Sequence, residues 1–137
     1  MYNNIALLIG HIVGDYLFQN DFMAKNKGLP GIRGHLICIL HCSIYATIVA
    51  AAVLLGGWRH ISRFDDDGPH GLVTSYCMAW VVAWLTHFPI DRFGLSKKWM
   101  EFFGQTLEGP FMPCVYIGVD NGAHLLLMWV LFSVLGA

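Results

Sequence analysis

Leu36 to Trp58, LICILHCSIYATIVAAAVLLGGW, runs without an Asp, Glu, Lys or Arg. A membrane-crossing helix needs about 20 mostly apolar residues, and this stretch supplies them while carrying His41 near its start. Working outward, Leu72 to Ile90 and Cys114 to Leu135 have the same character, the latter interrupted only by Asp120. A shorter apolar segment, Ile5 to Phe18, precedes them and holds His11 and Asp15. Together they predict an all-α, integral-membrane four-helix bundle. It is read as one domain over residues 1–137, with spans at about 4–20, 35–57, 71–91 and 113–135.

Composition narrows the class. The chain is 56% hydrophobic and 12% charged, whereas soluble domains carry about 25% charged residues. The net charge of -1 and the lack of a basic stripe exclude nucleic acid as a partner. Cys38, Cys42, Cys77 and Cys114 contain no C-x-x-C pair and are read as small buried thiols, not as a disulfide or metal framework. Met1-Tyr2-Asn3-Asn4 lacks the basic start of a signal peptide, so the first apolar segment is predicted to be retained.

The connections are legible by their breakers and charges. Asn20 to Arg33 reads as a loop from Gly28, Pro30 and Gly31, and Arg59 to His70 as a polar turn around Asp65-Asp66-Asp67-Gly68-Pro69. In the longer connection, Arg92 to Pro113, Trp99, Phe102 and Phe103 share a face beside Lys98 and Glu101. This predicts a short interfacial helix between the third and fourth spans. Lys25, Lys27 and Arg33 in the first loop, with Arg92, Lys97 and Lys98 in the third, outnumber Arg59 and Arg63 in the second by six to two. The positive-inside rule then sets loops one and three in the cytoplasm and both termini outside.

Seven ionisable residues stand in or beside these apolar segments: His11, Asp15, His41, His87, Asp91, Asp120 and His124. Six form pairs four apart, a spacing that shares one helix face. Such groups are costly in hydrocarbon and are kept there for partners or function. At about 1.5 Å per residue, all seven fall within roughly 15 Å of the surface bearing loops one and three, so they can meet on one level of a bundle, where bundles build metal sites. Imidazole and carboxylate ligands suit Zn, Mn, Fe or Ni, with Zn or Mn favoured here. Four His and three Asp are enough for two ions, or for one ion with outer carboxylates holding the imidazoles. A single His on an apolar helix is more often a satisfied packing residue, and Asp–His pairs can also serve as hydrogen-bonded glue or a proton relay.

Neighbouring residues extend the pattern. Gln19, Tyr45 and Asn121 are candidate outer donors, and His35 a candidate eighth member. His60 and His70 are expected to be solvent-exposed in the opposite loop. Gly10-x-x-x-Gly14 and Gly118-x-x-x-Gly122 predict close packing of the first and last helices around the site. Pro89, between His87 and Asp91, is expected to kink its helix and leave that pair at the edge of the site.

Gly10-His11-x-x-x-Asp15-Tyr16-x-x-Gln19 with Lys25, His41-x-x-x-Tyr45, His87-Phe88-x-x-Asp91-Arg92 and Asp120-Asn121-x-x-His124-Leu125 together resemble the small bacterial and phage membrane family called domain of unknown function 3307. Asn121 stands where that family often has Gln, and Pro89 is a second departure. By His/Asp pattern alone the chain also looks like membrane metal-dependent hydrolases. The resemblance implies a multi-pass protein of the bacterial inner membrane and supplies no reaction.

These readings converge on a metal-dependent hydrolase of a phosphoester or lipid-linked substrate at the cytoplasmic membrane face. His11, Asp15, His41, His87, Asp91, Asp120 and His124 are the expected ligands, with Asp15 and Asp120 catalytic. Membrane lipids, an amphiphilic substrate and a second copy of the chain are the expected partners. The competing reading is non-enzymatic: a metal or proton transporter, or a phage-encoded holin-like or host-modulating protein.

Overall fold

The computed structural model describes residues 4–58, 69–105 and 108–135, all helical or connecting. Helix α1 spans Asn4–Ile12 and passes into a π-helical turn, Val13–Leu17; α2 is Asp21–Asn26 and α3 is Gly31–Leu55. Helix α4 is Pro69–Phe93, α5 is Leu95–Phe102 and α6 is Met112–Leu135. His60, Arg59, Arg63 and the turn from Asp65 to Gly68 lie outside the described residues, as does most of the N-terminal tetrapeptide.

Three helices, α3, α4 and α6, are long and apolar enough to cross a membrane. Their outward faces stay apolar, with Ile39, Leu40, Val73, Leu85, Leu126, Trp129 and Val134 exposed. Exposed apolar surface on this scale marks a face that meets lipid or protein instead of water. The first segment differs. Asn4–Leu17 extends about 21 Å at 1.5 Å per residue, less than the roughly 30 Å hydrocarbon core.

The α3–α4 pair forms the spine, with α1 packed on α3 and α6 on α4. Away from the polar cluster the core is apolar: Leu7, Val49, Ala50, Val53, Trp58, Ala79, Val82, Met128 and Phe132. Trp58 closes this end, donating its indole N–H to the Phe132 carbonyl at 3.0 Å and meeting the Phe132 ring edge-on.

Several local expectations change. The connection at 20–33 holds helix α2, capped by the Asn20 side chain, which accepts from the Met23 backbone N–H at 2.9 Å. Pro89 does not break its helix, since α4 continues to Phe93. The irregularity lies in the first helix, where π-helical geometry begins two residues before Asp15. Cys38 and Cys42 are buried, whereas Cys77 and Cys114 are exposed. The glycine pairs also divide differently. A Cβ on Gly10 would lie 2.9 Å from Ala52 Cβ, and one on Gly14 would lie 2.7 Å from the Tyr45 ring, so this pair fits α1 against α3. Gly118 and Gly122 face open space.

This contrast is testable by melting in detergent. Gly10→Ala and Gly14→Ala should lower the melting temperature, because overpacking costs about 1–3 kcal/mol and exceeds the gain in helix propensity of up to about 1 kcal/mol. Gly118→Ala and Gly122→Ala should leave it unchanged or raise it.

Candidate metal centre

The polar residues of α1, α3, α4 and α6 meet at the end of the bundle capped by α2 and α5. Tyr45, His87 and His124 form a stack, with ring centroids 3.7 Å and 4.0 Å apart, that draws α3, α4 and α6 together. His87 is held in its middle, fully buried. His41 Nε2 lies 3.0 Å from His87 Nε2, and both nitrogens lie close to Asp91 Oδ2, at 3.2 Å and 3.1 Å. Asp15 Oδ1 approaches the same two nitrogens at 3.2 Å and 3.3 Å.

This spacing has a chemical meaning. Two imidazole N–H groups would clash at such a separation, and two bare lone pairs would repel. The pair is satisfied by a shared proton or a cation. Zinc ligands sit about 2.0–2.2 Å from the ion, which separates neighbouring ligand atoms by roughly 3 Å. His41 Nε2, His87 Nε2 and Asp91 Oδ2 form a triangle of that size. The Nδ1 atoms of His41, His87 and His124 have no hydrogen-bond partner among the described residues.

A second face adjoins the first through the same carboxylate. Asp91 Oδ1 lies 3.6 Å from His124 Nε2, which lies 3.7 Å from Asp120 Oδ2. Four groupings bring one ligand atom from each member to within 4.8 Å of one another: Asp15, His87 and His124; His41, His87 and Asp91; Asp91, Asp120 and His124; and Cys38, Cys42 and Asp91. Each could hold a metal ion. Asp91 belongs to three of them, so the residue expected at the edge stands at the centre, with His87 beside it. An uninterrupted α4 keeps this pair on one face despite Pro89.

His11 stands apart and belongs to none of the groupings. Tyr45 Oη lies 2.8 Å from His11 Nδ1, and Asn121 Oδ1 lies 2.8 Å from His11 Nε2. A tautomer with the proton on Nε2 accepts from the tyrosine and donates to the amide. Asp15 Oδ2 is 3.5 Å from His11 Nδ1. Asp120 accepts from the Ser96 hydroxyl at 2.6 Å. Gly94, at φ +58°, allows the turn that brings α5 and Ser96 to that carboxylate. Gln19 turns its amide N–H₂ to the Asp15 backbone carbonyl at 3.3 Å. His35 lies outside the cluster, accepting from Arg92 Nε at 2.9 Å, and His70 is exposed.

Lys27 was not singled out as a site residue by sequence reasoning. Its Nζ lies 2.6 Å from Asp91 Oδ2 and 3.4 Å from His41 Nε2, with the side chain 16% exposed. The loop reaches inward because Gly34 lets the Leu29 carbonyl pack where a Cβ would collide. Burial pushes the ammonium down, but Asp91, Asp15 and Asp120 outweigh it and hold Lys27 above its ordinary value. Three carboxylates thus face one ammonium. The excess of negative charge around Asp91 is one that a cation or a protonated imidazole would offset.

The site opens into a cavity of about 590 Å³, lined in part by Asp15, Asp91, Asp120, Lys27, Arg92 and Lys97. Of the triangle's three residues only Asp91 lines this cavity; His41 and His87 lie buried behind it.

Removing one partner of a buried ion pair costs about 3–5 kcal/mol, because the other charge is stranded. Lys27→Met should accordingly lower the melting temperature of metal-free protein, and added Zn or Mn should recover more of that loss than it adds to wild type. Equal melting of both proteins, with and without metal, would contradict this charge balance.

No curated protein and no solved structure matches the chain. The chain belongs to the family described as "Protein of unknown function (DUF3307)", whose model matches residues 4–136, almost from end to end.

Proposed function

We propose that this protein is an integral-membrane, metal-dependent hydrolase acting on a phosphoester or lipid-linked substrate. The observation that carries the reading is the triangle of His41 Nε2, His87 Nε2 and Asp91 Oδ2, with sides of 3.0–3.2 Å, beside an open cavity. Catalytic zinc sites take three protein ligands and keep a fourth position for water or substrate; here Asp15 Oδ1 faces the same two nitrogens and would have to yield that position. Zn or Mn is the proposed ion. Asp91, Asp120 and His124 would hold a second ion, Asp91 belonging to both groups.

An ion here supplies Lewis-acid polarisation of a phosphoryl oxygen and lowers the pKa of a water. The water oxygen forms the new P–O bond while the P–O bond to the leaving alcohol breaks. The water's proton passes to a carboxylate and on to the leaving oxygen. Asp15 and Asp120 are the proposed carboxylates: both line the cavity, and Asp15 Oδ1 faces the Nε2 atoms of His41 and His87. Lys27, Arg92 and Lys97 would hold an anionic head group. Tyr45, Asn121 and His11 act as positioning residues, with His11 beside Asp15.

The bundle is proposed to sit in the bacterial inner membrane, with Asn4–Leu17 a short fourth element against α3 and α5 at the interface. Trp99, Phe102 and Phe103 are exposed on or beside α5 while Met100 is buried, which fits an interfacial helix. The six-to-two distribution of Lys and Arg supports a cytoplasmic site and external termini. Transport is the weaker reading, because the far half of the bundle is the apolar core around Val53, Met128 and Phe132.

Two measurements test this. Elemental analysis of detergent-purified protein should find one to two ions per chain for wild type, and Asp91→Asn should lose them. Asp15→Asn and Asp120→Asn should abolish metal-dependent turnover of a phosphoester while melting cooperatively, whereas Cys42→Ser should have little effect. Less than about a tenth of an ion per chain, with no rise in melting temperature on adding metal, would mean a hydrogen-bond network instead. Orientation is tested separately: a reporter fused after Ala137 should be active only outside the cytoplasm.

A further inference from the structure

A second cavity, of about 350 Å³, lies between α1 and α6 and is lined by Leu8, His11, Ile12, Tyr16, Asn121 and Leu125. Its walls are mostly apolar: Leu8 and Ile12 of α1 and Tyr16 of the π-helical turn, each four residues on, with Leu125 of α6. Tyr16 and Asn121 also line the polar cavity over the candidate metal centre. The two spaces therefore adjoin at one point. There the Asn121 side chain spans the junction: its N–H₂ donates to the Tyr16 hydroxyl and its Oδ1 lies 2.8 Å from His11 Nε2, so one α6 side chain makes both polar contacts. Leu8, Ile12 and Tyr16 are all substantially exposed, so the groove is open on its outer side.

We infer that the α1–α6 groove is a lateral portal through which the alkyl chain of a membrane-resident phosphate monoester extends while its head group occupies the polar cavity. This rests on the hydrolase reading above and names its substrate class. Charge complementarity fixes the head. With Lys27 paired to Asp91 and an ion compensating the other carboxylates, Arg92 and Lys97 remain around the cavity, and Lys97 makes no ion pair among the described residues. The chain fixes the route. From Tyr16 to Leu8 is eight residues, about 12 Å at helical rise, and the groove is open toward the side where lipid would lie. A chain already in hydrocarbon gains nothing by transfer into the groove. What the groove supplies is a path that keeps the chain in hydrocarbon while the phosphate reaches the site, without dragging alkyl surface through the polar cavity.

The experiment uses full-length protein loaded with cobalt in phosphatidylcholine nanodiscs, because the visible bands of bound cobalt report ligands entering its coordination shell. Ethyl phosphate and dodecyl phosphate are titrated against wild type, Leu8→Trp and Leu125→Trp. None of these substitutions touches a proposed ligand, and an intact cobalt spectrum verifies the fold. Dodecyl phosphate should perturb the wild-type bands, and each Trp variant should weaken that response by roughly tenfold, the scale of an overpacked apolar contact. Ethyl phosphate should respond equally in all three. Ile12→Phe, a smaller change on the same stripe, should weaken the dodecyl response alone, and Leu8→Ala should preserve it.

If the Trp variants keep the full dodecyl response, membrane enrichment alone explains the binding and the portal is overturned. Equal responses to ethyl and dodecyl phosphate in wild type would point to a soluble phosphoester and overturn it also. Absence of any cobalt spectrum would instead remove the metal reading, and the portal with it.

Discussion

The arrangement depends on one carboxylate. Asp91 is almost wholly buried, its side chain 3% exposed, in a bundle whose outer surface is apolar. A charge in that position is tolerated only when compensated. Every polar element at this end of the molecule serves the requirement. His41 and His87 present Nε2 to one oxygen, His124 faces the other, and Lys27 is drawn out of its loop to within 2.6 Å. The stack of Tyr45, His87 and His124 then fixes the imidazoles by packing, so the donor atoms stay near one another without depending on flexible surface groups. Such preorganisation is what a metal site needs from its protein.

Much of this was legible because hydrophobic segments and i, i+4 spacing survive in any sequence that builds a membrane-like bundle. The three long helices follow from unbroken apolar runs, and the Asp and His residues stand out because they are expensive there. The errors have physical causes. Pro89 was read as a disruption, yet α4 continues through it and keeps His87 and Asp91 on one face. Gly10-x-x-x-Gly14 reports that something packs closely without naming the partner, which is α3 and not α6. The π-helical turn at Val13–Leu17 leaves no mark on hydrophobic periodicity.

Lys27 was missed for a different reason. Its loop composition, with Gly28, Pro30 and Gly31, reads as solvated, and a lysine there counts as a surface charge. In the fold its ammonium turns inward to Asp91, and the segment behind it packs closely on Gly34. A signal did exist. Three carboxylates in apolar segments demand cations, and Lys25, Lys27 and Arg92 stand near the ends of the helices that carry two of them. Charge bookkeeping across the segment boundaries would have pointed to the loop. Cys38 and Cys42 teach the same lesson, since their burial was expected but their reach to Asp91 depends on how α3 faces α4.

The division of the bundle into a polar end and an apolar end bears on what the site can do. A conduit would distribute its polar groups along the axis, whereas here they gather at one level and give way to Val49, Val53, Met128 and Phe132. Concentrating charge at one end limits the desolvation cost, because the ionisable groups compensate each other and open to the cavity. It also leaves the polar contacts across the seam at the junction to one side chain, Asn121, just where the cavity meets the apolar groove. A site built this way can take an anionic head from one side and an apolar chain from the other. Neither a soluble enzyme pocket nor a transmembrane channel needs that pairing, so the junction at Tyr16 and Asn121 is the point where the chemistry and the membrane reading depend on each other.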